Sequence, residues 1–221
     1  MNRYDRKVWT LAACFSALAG YVDAVGFLYL DGFFVSFMSG NSTRLAVGLS
    51  EHLPDAAIAG GLILSFVIGV ILGSLCRRLV GGAWQGAVMY LVAAILTLAA
   101  LFAQANANLF SAVLLAMAMG AENAIFEHDG EVQIGLTYMT GTLVKFGQRL
   151  LSALMGDDRC GWLPYGLLWL GLMVGAILGA ISFRLIGHQA IWGAVATALL
   201  LAFWLQHVRI ALTPKGREFP R

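Results

Sequence analysis

Charge is what this sequence has least of. Charged side chains make up 12% of its 221 residues and hydrophobic ones 60%, whereas about a quarter of a soluble domain is charged. A water-soluble fold of this size could not hide so much apolar surface, and no stretch is polar enough to form a separate soluble domain. The three cysteines, Cys14, Cys76 and Cys160, are odd in number and fall in or beside apolar runs, which argues against a disulfide framework or a metal site. Their expected role is that of small buried hydrophobes. His52, His128, His188 and His207 lack metal-ligand spacing and read as interfacial residues. No phosphate loop, dinucleotide fingerprint or nucleophile elbow occurs. No cofactor and no enzymatic activity are therefore expected, since an intramembrane enzyme would have only Ser39 or Thr140 with Asp23 to work with. The net charge of +2 is spread between apolar runs, so nucleic acid is not an expected partner.

What is present is a series of runs long enough to cross about 30 Å of hydrocarbon, roughly 20 residues each as helix. They are Val8 to Leu30, Ala56 to Cys76, Ala83 to Phe102, Leu109 to Phe126, Trp162 to Phe183 and Ala190 to Gln206. Two further segments, Phe33 to Leu49 and Leu136 to Leu154, are apolar at both ends but carry Ser-Gly or Thr-Gly and a basic residue inside. The start, Met1 to Lys7 followed by an apolar stretch ending Ala17-Leu18-Ala19, has the form of a secretory signal. The apolar stretch continues to Leu30, however, and the residues past the would-be cut recur later, so the first helix is expected to be retained. If the two odd segments enter and return on one side, leaving six crossings, every Lys and Arg except Arg44 and Arg184 lies on the cytoplasmic side with both termini. Eight crossings would move Arg77 and Arg78 outside and Arg44 inside, a slightly weaker bias. Trp84, Trp162 and Trp192 sit at span edges, as interfacial anchors do.

The strongest internal signal is a repeat. Val35-Ser36-Phe37-Met38-Ser39-Gly40 matches Leu136-Thr137-Tyr138-Met139-Thr140-Gly141 at six consecutive places, and Arg44 then falls opposite Lys145. Gly20-Tyr21-Val22-Asp23-Ala24-Val25 likewise resembles Gly120-Ala121-Glu122-Asn123-Ala124-Ile125, and Gly69 and Gly73 match Gly171 and Gly175. The expected fold is an all-α integral membrane protein of six transmembrane helices in one membrane domain, a 3+3 inverted repeat. Residues 1–105 and 106–221 are the two repeats, each with three spans and one re-entrant segment, 33–49 or 136–154. An odd number of crossings per half turns the second half upside down, a plan of transporters and channels whose site lies at the midplane.

In Phe33 to Leu49 the aromatic and β-branched beginning favours extended backbone. Ser39-Gly40-Asn41-Ser42 offers N-cap chemistry, and Thr43 onward reads as helix. Non-helical backbone at that depth must be buried in protein or line a wet cavity. With Thr140-Gly141-Thr142 doing the same from the other face, two half-helix N-termini, each with a partial positive charge and unpaired N–H donors, converge. Met38, Ser39, Gly40, Asn41, Met139, Thr140, Gly141 and Thr142 are the candidate solute-binding residues, with Arg44 and Lys145 adding positive charge or else snorkelling to the headgroups. Asp23, Glu122 and Asn123 lie inside spans, where an ionisable group signals a pathway or a fixed partner. Asp23 or Glu122 would carry a coupling proton or orient a basic residue, or Asp23 would pair with Arg44. The Gly-x-x-x-Gly series at Gly69 and at Gly171 allows close helix approach inside the bundle or at a homodimer contact.

With Gly-Tyr-Val-Asp-Ala-Val at 20 to 25, Phe-Met-Ser-Gly-Asn at 37 to 41 and Tyr-Met-Thr-Gly-Thr-Leu-Val-Lys at 138 to 145, the sequence resembles the YoaK family over essentially its whole length. That family of bacterial inner-membrane proteins is known chiefly as a domain of unknown function. The resemblance implies a cytoplasmic membrane location and a multi-span fold, and supplies no substrate or catalytic residue. The residues themselves point to a transporter or channel for a small anionic or polar solute, with the lipid bilayer and that solute as partners. A structural or sensory membrane protein is the alternative.

Overall fold

A computed structural model describes residues 6–52, 54–80, 86–128 and 131–207. Trp84 and the terminal residues Arg3, Arg209, Lys215, Arg217 and Arg221, expected at the membrane edges, lie outside the described residues. Eight α-helices carry the described chain: α1 Arg6–Tyr29, α2 Met38–Ser50, α3 Asp55–Val80, α4 Ala87–Gln104, α5 Asn108–Glu122, α6 Met139–Leu154, α7 Leu163–Ile186 and α8 Ile191–His207. Five helical runs are long and apolar enough to cross a bilayer: Lys7–Tyr29, Asp55–Val80, Ala87–Gln104, Asn108–Phe126 and the 44-residue run Leu163–Gln206. The last of these is α7 and α8 joined without a loop. Gly187, at φ +59°, ends α7, and a single 3-10 turn over Gly187–Ala190 leads into α8. Among the described residues the expected all-α chain has one exception, a ladder of two residues on each side, β1 Glu127–His128 paired antiparallel with β2 Glu131–Val132.

Glycine decides which helices meet. On α7, Gly171, Gly175 and Gly179 lie against the backbone of Ala13, Ala17 and Tyr21 on α1, so close that any Cβ would strike the carbonyls. On α3, Gly69 and Gly73 lie in the same way against Met117 and Ala121 of α5. In return Gly20 of α1 meets the Leu172 carbonyl, and Gly120 of α5 meets the Phe66 carbonyl. Small residues that let backbones touch are how helices associate where lipid removes the hydrophobic driving force. The Gly-x-x-x-Gly series is thus used within the bundle. In both pairs the contact numbers rise together, so α1 runs parallel to α7 and α3 parallel to α5.

α1 and α5, by contrast, run in opposite directions. The Tyr29 hydroxyl at the end of α1 donates to Asn108 Oδ1 at the start of α5 (2.7 Å), while the Phe15 ring meets Phe126, just past the end of α5, edge-on at 5.9 Å. α4 packs between α5 and α8. Together these helices enclose a core that includes Leu11, Phe15, Leu96, Leu115, Met119 and Leu205. α3 and α7 turn the opposite way, with Leu64, Ile71 and Leu75, and Leu170, Ile177 and Leu185, exposed on their outer faces. Apolar faces outward around a packed interior suit lipid as the surrounding solvent. α2 packs on α3 and α6 on α7, and both stay largely at the periphery.

Candidate functional site

The two odd segments are broken before their helices begin. α1 ends at Tyr29, where Asp31 (φ +51°) and Gly32 (φ +105°) reverse the chain and the Gly32 N–H closes the helix end onto the Phe27 carbonyl (2.8 Å). Residues 33–37 then come back without helical hydrogen bonds. Their backbone is satisfied by side chains instead: Asp23 Oδ1 accepts the N–H of Val35 (2.9 Å) and of Ser36 (2.7 Å). The Asn41 amide brackets Phe34, accepting its N–H (3.1 Å) and donating to its carbonyl (2.6 Å). Buried backbone must find such partners, because hydrocarbon offers none. The second segment is held differently. The Thr137 hydroxyl donates to Asn123 Oδ1 (3.3 Å), and the Ser16 hydroxyl reaches the carbonyls of Leu136 (3.4 Å) and Leu168 (3.0 Å).

Both helices beyond these turns start at the methionine, earlier than the N-cap signals predict. α2 begins at Met38 after Phe37, α6 at Met139 after Tyr138, and neither has a side-chain cap. Hydroxyls expected to cap them bond backwards along the helix, Ser42 to the Met38 carbonyl (2.8 Å) and Thr142 to Tyr138 (3.1 Å), and Thr43, expected within the helix, bonds back to Ser39 (3.3 Å). The first turns of α2 and α6 therefore keep N–H groups that no side-chain cap covers.

These two helix starts face one cavity of about 300 Å³, lined by Ser36, Phe37, Met38, Ser39 and Phe66 from one side and Thr137 to Gly141 from the other. Of the residues nominated from sequence, Met38, Ser39, Met139, Thr140 and Gly141 line it. Gly40, Asn41 and Thr142 do not. The Gly40 Cα lies against the Phe37 and Phe34 rings, Asn41 is fully buried in its clamp, and Thr142 is bonded back to Tyr138. Ser36, Phe37, Thr137 and Tyr138 line the cavity without having been candidates, although the matched hexapeptides contain all four. Phe66 carries no such signal, because it enters from the middle of α3.

The charged candidates sit elsewhere, which corrects the expectation of an electropositive cavity centre. The Arg44 guanidinium lies over the Phe33 ring, 4.8 Å from its centroid, and packs on Gly32. Six residues of helix carry it back to the level of the α1 exit. Lys145 is exposed on α6 and does not line the cavity. Asp23 bonds backbone amides instead of Arg44. Asn123 donates to the Met119 carbonyl (2.9 Å) and accepts from Thr137, so it acts as a tie between α5 and the second turn. Glu122 is fully buried and outside the cavity. At the end of α5, Arg77 Nη1 donates to the carbonyls of Ala124 (3.2 Å) and Ile125 (2.7 Å), and Ser74 bonds the Glu127 carboxylate. Among the described residues no cluster of His, Cys, Asp or Glu is arranged to hold a metal ion.

Residues 11–204 match the family model described as "Protein of unknown function (DUF1275)". A UPF0700 transmembrane protein of Rhizobium meliloti (strain 1021) is 39% identical over 198 residues, covering 86% of this chain and 83% of the relative. No solved structure matches significantly. These matches uphold the family resemblance read from the glycine and Met-Ser/Thr-Gly motifs, and the relative's name agrees with the apolar helices in making this a membrane protein.

Proposed function

We propose that this chain, which belongs to the DUF1275 family, carries a small polar or anionic solute across the bacterial cytoplasmic membrane through the cavity between its two turns. The observation that carries the proposal is the convergence of two helix N-termini without side-chain caps on one cavity whose polar side chains are the hydroxyls of Ser36, Ser39, Thr137, Tyr138 and Thr140. Helix N-termini concentrate N–H donors and about half a positive charge each, and they bind electron-rich groups without a cationic side chain. With Arg44 and Lys145 outside the cavity, the attraction is mild, which suits a neutral polar solute or a singly charged anion.

The inverted 3+3 arrangement is part of this proposal. It draws support from the opposed directions of α1 and α5, and from α2, whose 13 residues span about 20 Å, short of the roughly 30 Å of a bilayer core. The return of Arg44 to Gly32 supports re-entry as well. Helix packing also supports equivalence of the halves, with a shift. Ala17 and Met117 occupy matching places, as do Tyr21 and Ala121, so Gly69 pairs with Gly175 and Gly73 with Gly179. That is one helical turn beyond the match read from sequence. In this arrangement both termini are cytoplasmic.

The test is stopped-flow light scattering of proteoliposomes shocked with glycerol, urea, sodium formate or sodium acetate. Wild type is expected to pass at least one of these faster than empty vesicles. The Ser39→Leu/Thr140→Leu double variant, still folded, is expected to lose that flux, while Arg44→Ala keeps it. Wild-type flux no greater than that of empty vesicles would favour a structural or sensory role.

A further inference from the structure

Glu122 is a fully buried acid that does not line the cavity. It ends the inward stripe of α5, after Ser111, Ala112, Leu115, Ala118 and Met119, and is 0% exposed. Among the described residues neither of its carboxyl oxygens has a hydrogen-bond partner. The ionisable groups on the elements packed around α5 are engaged elsewhere. Arg77 on α3 serves the Ala124 and Ile125 carbonyls, and Glu127 takes the Ser74 hydroxyl. On α1, Tyr21 donates to the Ala190 carbonyl, Tyr29 to Asn108, and Asp23 holds Val35 and Ser36. Tyr90 on α4 donates to Gln206, and the thiols of Cys14 and Cys76 make no bond to Glu122.

The fold does not need an acid at this place. In α1 the same stripe runs Leu11, Ala12, Phe15, Leu18, Ala19 and Val22, which is 1% exposed, and continues to Val25. Val22 is also the residue that the repeated hexapeptide aligns with Glu122. A valine fills the position in one half, while the other half spends a costly buried carboxyl on it. A fully buried carboxyl with no partner among the described residues is thus no packing requirement of this position.

We propose that Glu122 is a proton-binding site. One carboxyl oxygen carries a proton in the closed bundle and releases it as H⁺ to water when the bundle opens. The resulting carboxylate takes up a proton again before the core closes over it. The inference stands on the surroundings of Glu122 and is independent of what the cavity carries, so the solute-flux test can fail without touching it.

The experiment is infrared spectroscopy of the protein in lipid nanodiscs, following the carbonyl stretch of protonated carboxylic acids through a pH titration and through exchange into D₂O. Wild type is expected to show an acid band that persists after the exposed carboxyls have ionised, that shifts in D₂O and that disappears at higher pH. Glu122→Gln is expected to lose this band and Asp23→Asn to keep it. Glu122→Val, which copies the residue at Val22, is expected to fold and to melt at a higher temperature than wild type. Identical bands in wild type and Glu122→Gln would overturn the proposal, as would a band that neither titrates nor exchanges. So would loss of folding in both Glu122→Gln and Glu122→Val, which would make the carboxyl structural.

Discussion

Asp23 holds two consecutive backbone N–H groups of a segment that has no helix or sheet to belong to. Hydrogen bonds to a charged group contribute about 1.5 to 3 kcal/mol each, and a buried donor left without a partner adds its own desolvation cost. Asp23→Ala is therefore expected to destabilise the protein by roughly 3 to 5 kcal/mol, read as a lowered unfolding midpoint in detergent. Asp23→Asn, which can still accept through its amide oxygen, is expected to lose less. Arg44→Ala gives up the contact of a half-buried guanidinium with the Phe33 ring, worth about 1 kcal/mol, and its midpoint is expected to move little. The sequence marks Asp23 as costly, yet its role was not legible, because its partners lie 12 and 13 residues on and reach it only after the Asp31-Gly32 reversal. The placing of Arg44 was hidden for the same reason: spacing gives its distance along α2, and the reversal decides what α2 comes back to.

Among elements, glycine separates the helices that must touch from those that need not. Gly175→Val puts a branched side chain against the Ala17 carbonyl, and α1 and α7 can accept it only by moving apart. Overpacking of this kind typically costs about 1 to 3 kcal/mol and more where backbone opposes it, so a loss at or above the top of that range is expected in a detergent-resistance or unfolding assay. Gly147→Ala is the control. Nothing lies within 4 Å of a Cβ there, and alanine is better in a helix interior by about 0.5 to 1 kcal/mol, so that variant is expected to gain stability. The long apolar helices were legible from their runs alone. The starts of α2 and α6 were not, because Ser39, Ser42 and Thr140 look like caps in sequence, while in the fold Ser42 bonds back along its helix and neither helix start receives a cap. The pair of short strands near Glu127 was also invisible, because two residues on each side are too few to show a strand's alternation.

For the whole molecule the decisive question is which loops share a side of the membrane. With three crossings per half, the α2–α3 loop at Glu51 and the α6–α7 loop at Cys160 lie on opposite faces, whereas eight crossings would put both on one. Cys160 is exposed and free, so a membrane-impermeant thiol reagent added to right-side-out vesicles is expected to miss it and to reach it in inverted ones. A cysteine introduced as Glu51→Cys in a Cys160→Ser background is expected to give the reverse. Labelling of both from one side would remove the inverted arrangement and the proposed pathway with it. The two turns that meet at the cavity are not fastened alike. A carboxylate and a bracketing amide pin the first, whereas a single neutral 3.3 Å contact to Asn123 and a shared serine hydroxyl steady the second. The segment around Thr137 thus has fewer side-chain ties to its backbone than the one around Val35, and in the proposed pathway it is the segment that a widening of the cavity would release first.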